Sequence, residues 1–405
     1  MMPGSCAASA KLRVWVHAVS VGEVDVARKV MLELRRRLPD VRFILSTTTS
    51  TGHAQAAKWM APEDVLIYFP VDFPPVIRRV LSLIRPRILI LTEGEIWPNM
   101  IRRVHGRNIP IAIINGRLSE RSFRGYRRAG AFIRRPLDMI DLFCMQSDGD
   151  ADRLRALGVD PARLRILGSA KYDGAAPDAA ARARAETLLH RAGFIPGGRI
   201  LLGGSTWSGE EAILMDILTG CRASMPDVQL ILVPRHAERA GEVVAELEKR
   251  RMPYIRRSAM TEGAAVPAPG AVLLIDTTGE LRNMYTVADV IFVGKSLTQH
   301  GGQNIIEPAA CGKPVVVGPN MENFTAVMRD FLDADAILQV RDKGELAACI
   351  GQLLVDHPRA ADVGRKAAEV VARNQGAVVA NVEAVLPLIP PCGREGGAGD
   401  GDTNP

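Results

Sequence analysis

Short, unbroken apolar runs are what most constrain the fold of this chain. In the first half they are LRVWVH (12–17), VRFILSTT (41–48), VLIYF (65–69), RILILT (87–92) and IPIAII (109–114). In the second half they are ILLGGS (200–205), VQLILVP (228–234), AVLLID (271–276), DVIFVG (289–294) and PVVVG (314–318). A strand with one face in water alternates polar and apolar residues, whereas runs this continuous need cover on both faces. Longer amphipathic stretches between them supply that cover, which predicts parallel sheets in α/β layers. With 405 residues the chain is too long for one ordinary core, so two Rossmann-like domains are expected. The Ala-, Gly- and Pro-rich stretch 174–198 reads as a linker with a lead-in helix. It separates a first domain (1–173) from a second (199–390), and the composition of 391–405 is that of a disordered tail.

Composition narrows the class. The six cysteines are scattered, with no CxxC and no paired Cys/His spacing, which argues against a disulfide framework or a structural zinc site. No run approaches the ~18 apolar residues that span a bilayer, and no signal peptide is visible. Net charge is only +6, but residues 102–135 hold ten arginines against one acid, Glu120, with Phe123 and Tyr126 among them. Such a segment attracts polyanions, either nucleic acid or an anionic membrane surface. A solvated helix face is the plainer explanation of a charge run; the excess here favours a functional surface.

Unusual residues gather just after the strand-like runs, where α/β sheets bind ligands. Glu23 follows the first, Glu93 and Glu95 the fourth, and Lys171 the apolar RLRILG. In the second half Ser205, Arg235-His236, Gly279-Glu280-Leu281 and HGGQNIIEP (300–308) hold corresponding places. One such polar residue is an ordinary helix cap; seven clusters in two domains exceed what capping requires. Gly301 and Gly302 read as a turn that allows close backbone approach, and the free N–H groups at the start of the following helix as an anion site, with Glu307 one turn in. Arg235 could pair with a phosphate or simply with Glu238. A lone His236 and a lone Trp97 are each more often structural than ligand-binding. The Asp-x-Asp strings at 148–150, 150–152, 333–335 and 400–402 read as caps and turns rather than a metal-diphosphate clamp.

Taken in order, HAVSVGE, STTTSTG, TEGEIWPN, NGRLSERS, GSAKYD, VPRHAER, TTGEL and GGQNIIEPA resemble the 3-deoxy-D-manno-octulosonic acid (Kdo) transferases, from about Trp15 to Val385. The resemblance implies a GT-B architecture: two facing Rossmann-like domains, the active site in the cleft between them, and the last helix packing back toward the first domain. It implies inverting transfer of Kdo from CMP-Kdo to a lipid A precursor, with no cofactor and no metal. Carried over by position, Glu23 is the general base, and Glu93 with Lys171 stabilises the transition state. Arg235, His236, Gly279, Glu280, Leu281, Asn304, Ile305, Ile306 and Glu307 bind CMP. The basic segment, through Arg117, Ser119, Arg121, Arg124, Arg127 and Arg128, then faces the acceptor lipid and an anionic inner-membrane surface rather than nucleic acid.

Several positions depart from the family pattern. Gly94 stands where threonine is usual, which should loosen that turn. Trp207 replaces a usual histidine, and Lys295 a usual glycine. The hydrophobic anchor common before the first strand is not seen: either the start is truncated or misassigned, or the protein attaches peripherally, through its basic face, to the cytoplasmic side of the inner membrane. Two rival readings are another GT-B nucleotide-sugar transferase or epimerase, and a non-catalytic basic membrane-binding protein on the same scaffold.

Overall fold

The computed structural model describes residues 12–260 and 270–390, so the tail expected at 391–405 lies outside the described residues. The chain forms two compact units, Met1–Asp173 with Gln375–Pro405 and Gly174–Asn374. The stretch 174–198 is counted with the second unit.

The first unit is a seven-stranded, all-parallel sheet. Its strands are β1 (Arg13–Ala18), β2 (Arg42–Thr47), β3 (Val65–Tyr68), β4 (Ile88–Thr92), β5 (Ile111–Gly116), β6 (Leu142–Met145) and β7 (Leu164–Ile166), in the order β3-β2-β1-β4-β5-β6-β7. The helices between them are α1 (Val21–Arg37), α2 (Ser50–Ala57), α3 (Pro74–Ile84), α4 (Pro98–His105), α5 (Glu120–Ala129), α6 (Ala131–Asp138) and α7 (Asp148–Ala156). Side-chain alternation along β1 sorts the core into two layers. Val14, Val16 and Ala18 pack on the α1 side, and Trp15 on the side that holds Met100, Ile101 and Val104 of α4. Ser20, Thr49, Ser119 and Ser147 cap the helices that follow their strands, and Pro74 and Pro98 open α3 and α4, where a missing N–H costs nothing.

The second unit repeats the plan with β8 (Ile200–Thr206), β9 (Gln229–Pro234), β10 (Tyr254–Arg256), β11 (Val272–Leu274), β12 (Val290–Val293), β13 (Val315–Val317) and β14 (Leu338–Gln339). The order is β10-β11-β9-β8-β12-β13-β14, so β11 inserts between β9 and β10. Its helices are α8 (Ala181–Arg191), α9 (Glu210–Arg222), α10 (Ala240–Lys249), α11 (Leu281–Tyr285), α12 (Ile306–Ala310), α13 (Thr325–Asp333), α14 (Lys343–Val355) and α15 (His357–Asn374). The final helix, α16 (Ala377–Val385), belongs to the first unit, where Val378, Val382 and Val385 join the α1 core layer. Asp173 caps it, its carboxylate accepting from Gly376 N (2.6 Å) and Val378 N (2.5 Å).

Each sheet has one topological switch point, between β1 and β4 in the first and between β8 and β12 in the second. The strand order reverses there and leaves a crevice beyond the carboxyl ends, the usual ligand position in such sheets.

Candidate functional site

Glu23 lies at the first switch point and is 7 % exposed. Ser20 is the N-cap of α1, and its hydroxyl lies 3.0 Å from Glu23 Oε1. Glu23 Oε2 accepts from Val19 N (3.0 Å), a capping-box arrangement reaching back one residue further than usual. The hydroxyl of Thr92, at the end of β4, is 2.9 Å from both Glu23 Oε2 and the His17 carbonyl and shares its one proton between them. The carboxylate therefore bridges the crevice from β1 to β4. Of its roughly four lone-pair positions, at most three are filled by the described residues, which leave one open on Oε1.

Next to Thr92, Glu93 adopts a left-handed backbone (φ 59°). Its carbonyl accepts from Arg117 N (2.9 Å), and its carboxylate meets Arg117 Nε at 2.8 Å and Lys171 Nζ at 3.9 Å. Burial pushes the Glu93 carboxyl up; Arg117 and Lys171 oppose that, and the charge of Glu23 adds to it. Glu95 is also raised, by burial first and then by Glu23 and Glu93. Three carboxylates thus share one electrostatic field, the condition under which acid and base roles separate. Gly94 tightens the turn rather than loosening it, because a Cβ there would stand 2.6 Å from the Arg117 carbonyl.

The Lys171 segment is held from three sides. Asn115 Oδ1 accepts from Ala170 N (2.9 Å), Lys29 Nζ donates to the Ala170 carbonyl (3.2 Å), and Asn115 N donates to Asn381 Oδ1 on α16 (3.1 Å). His17, though it opens the HAVSVGE signature, is a core residue. Its ring is fully buried against Phe69 (centroids 4.4 Å), Nδ1 faces Ser46, and burial lowers its pKa to about 4. Trp97 packs on the same Phe69 at 4.5 Å.

In the second unit the expected CMP residues divide by accessibility. Arg235 and His236 are exposed, and Arg235 does not pair with Glu238; among the described residues its guanidinium has no ionic partner. The neighbouring Arg239 makes the ion pairs instead, with Glu211 (2.9 Å) and Glu242 (3.0 Å). Gly279 has φ 90°, Glu280 is held by Arg257 (2.9 Å) and Thr277 (2.6 Å), and Leu281 opens α11. Ile305 and Ile306 are core, Asn304 Oδ1 accepts from Ile306 N (3.0 Å), and Glu307 lies 3.8 Å from Arg282. The glycine turn is held within the fold: Gly301 N donates to Glu322 (2.7 Å) and Gly302 N to the Lys295 carbonyl (3.0 Å).

One residue the sequence reading missed organises this edge. Glu210, fully buried at the start of α9, accepts from Trp207 N (2.8 Å), Lys295 N (2.9 Å), Ser296 N (3.2 Å) and Leu297 N (3.1 Å). It joins the turns after β8 and β12 across the second switch point. Burial raises its carboxyl and these amides pull it back. A first-turn acid is common; nothing local in the sequence says that this one is buried.

In the basic segment α5 buries no side chain, and Arg121, Arg124, Arg127 and Arg128 are exposed on it, Arg127 lying over Phe123. Arg117 is committed to Glu93, and Ser119 is the N-cap of α5 (2.9 Å to Ser122 Oγ). Among the described residues no helix is long and apolar enough to cross a membrane.

Residues 3–174 match the family described as 3-Deoxy-D-manno-octulosonic-acid transferase (kdotransferase). The chain is 34% identical to the 3-deoxy-D-manno-octulosonic acid transferase of Bordetella pertussis over 92% of this chain and 86% of that protein. It is 32% identical to the enzyme of the same name from Haemophilus influenzae, over 93% and 87%. Among solved structures, the UDP-GlcNAc 2-epimerase from Neisseria meningitidis bound to UDP-GlcNAc superposes with a TM-score of 0.61, covering 93% of this chain and 100% of that one. At 12% identity that likeness is one of fold.

Proposed function

Since this chain belongs to the 3-deoxy-D-manno-octulosonic acid (Kdo) transferase family and is a glycosyltransferase, we propose that it performs an inverting, metal-independent transfer of Kdo from CMP-Kdo to a lipid A precursor of lipid IVA type. The observation that carries the reading is the constellation at the first switch point: Glu23 with an open acceptor position on Oε1, beside Glu93 flanked by Arg117 and Lys171. An inverting transfer is a single displacement, so one carboxylate must take the proton of the attacking hydroxyl. Glu23 suits that role because its other lone pairs are fixed by Val19, Ser20 and Thr92, which orient the remaining one. Glu93 faces the positive charge that develops on the sugar, and Lys171 the negative charge.

CMP leaves as a monophosphate, and Arg235 receives it in this reading, supported by its being an exposed cation without an ionic partner among the described residues. The acceptor binds at the first unit through Arg121, Arg124, Arg127 and Arg128. Exposed Val71, Phe73, Leu83 and Phe132 add the apolar surface that a lipid headgroup region accommodates. The protein works peripherally at the cytoplasmic face of the inner membrane.

The test is turnover with a CMP-Kdo-generating system and a tetra-acylated, bis-phosphorylated lipid A precursor, scored by mass spectrometry. Wild type should add whole Kdo units, and Glu23→Ala should lose ~100- to 10,000-fold in rate, the usual contribution of a general base. A Glu23→Ala enzyme that keeps full activity removes Glu23 from the mechanism. Wild type that binds CMP yet transfers nothing to this lipid removes the acceptor.

A further inference from the structure

The turns after β8, β9 and β12 meet around one aromatic ring. Trp207 presents its face to Lys295, whose ammonium lies 4.9 Å from the ring centroid, and its side to His236 in an edge-on contact at 5.5 Å. Lys295 reaches this position through a left-handed backbone (φ 58°), pinned by its N–H to Glu210 Oε2. Its ammonium also borders the glycine turn, 3.6 Å from where a Cβ on Gly301 would stand. Among the described residues no carboxylate and no hydrogen-bond acceptor pairs with Lys295 Nζ, and Trp207 Nε1 is buried without a partner.

That arrangement matters because the two glycine amides beside it are already engaged, by Glu322 and by the Lys295 carbonyl. The full positive charge that borders this turn is the side chain of Lys295. A lysine resting on an aromatic face keeps its charge unneutralised, and the contact is weaker than a charge-assisted hydrogen bond to a phosphate oxygen. An incoming phosphate can thus draw the ammonium off the ring. Gly has no such cation to give, so this is a property of the lysine at 295.

We propose that Lys295, held in readiness on Trp207, is a phosphate-binding and specificity-determining residue for the nucleoside monophosphate portion of the donor. This deepens the donor half of the proposed function and rests on it.

Calorimetric titration of the full chain with CMP and with cytidine tests it, because the two probes differ only by the phosphate. Wild type should prefer CMP. Lys295→Gly removes the ammonium and cannot strain a left-handed backbone; it should lose ~10- to 100-fold in CMP affinity, the value of a charged hydrogen bond, with cytidine unchanged. Lys295→Arg should restore most of the loss. In addition, CMP but not cytidine should change the fluorescence of wild type, and Trp207→Phe should abolish that change. A Lys295→Gly protein that binds CMP as tightly as wild type overturns the proposal while leaving the donor assignment intact. Equal losses for CMP and cytidine overturn it too, because the effect is then not one of phosphate. Wild type that binds neither probe overturns the donor assignment and the proposal together.

Discussion

Acidification should weaken the first unit through His17, by an amount set by its burial. The ring is fully buried, its Nδ1 is 2.9 Å from Ser46 Oγ, and its Nε2 has no partner among the described residues. Its pKa is lowered from 6.5 to about 4 by burial. The folded value lies below the unfolded one, so as pH falls the unfolded chain takes up the proton first. The stabilisation is complete above pH 6.5 and is lost as pH falls toward 4. At about 1.36 kcal/mol per pH unit, the whole effect is roughly 3.4 kcal/mol, and about 2.5 kcal/mol of it is gone by pH 4.5. Glu93 and Glu95 are displaced upward and act in the opposite sense, so wild type must be compared with a protein that keeps them. His17→Met is that protein. Urea unfolding followed by tryptophan fluorescence in a Trp207→Phe background isolates the first unit, since Trp15, Trp59 and Trp97 all lie in it. The stability advantage of wild type over His17→Met should shrink by about 2.5 kcal/mol between pH 7 and 4.5. Parallel stability profiles for the two proteins would refute a buried, neutral His17.

Gly94→Thr, which restores the residue expected from the family resemblance, places a Cβ 2.6 Å from the Arg117 carbonyl. It should cost ~1–3 kcal/mol by overpacking, and an unchanged melting temperature would show that the turn relaxes freely. Glu210→Ala strands the amides of Trp207, Lys295, Ser296 and Leu297; about 3 kcal/mol or more of stability and most CMP affinity should go, and retention of both would remove the residue from the donor edge. Lys171→Met removes the cation 3.9 Å from Glu93 Oε1, so the Glu93 carboxyl should titrate at still higher pH in a carbon-13 experiment; an unchanged titration contradicts their coupling.

Much of this molecule could be read before any coordinates. Continuous apolar runs require cover on both faces, and that alone predicts parallel, doubly wound sheets. The strands not predicted, Leu142–Met145, Tyr254–Arg256 and Leu338–Gln339, are short and lie at or next to the sheet edges. Glu23, Glu93, Lys171 and Arg235 were singled out because they follow strands, and ligands of such sheets sit beyond the strands' carboxyl ends.

Which side chain meets which was set by the fold. Arg117 looked like part of a free basic face and is bound to Glu93; Arg235, for which Glu238 was the plainer partner, has no ionic partner among the described residues. The Gly301 and Gly302 amides are used within the fold, while Glu210, to which the sequence assigned no role, joins two turns across a switch point. Hydrophobic periodicity is a local property, written along the chain and legible there. Hydrogen bonds and ion pairs at strand ends join residues up to 266 positions apart, as Asn115 and Asn381 are, and their partners exist only once the sheet order has brought those ends together.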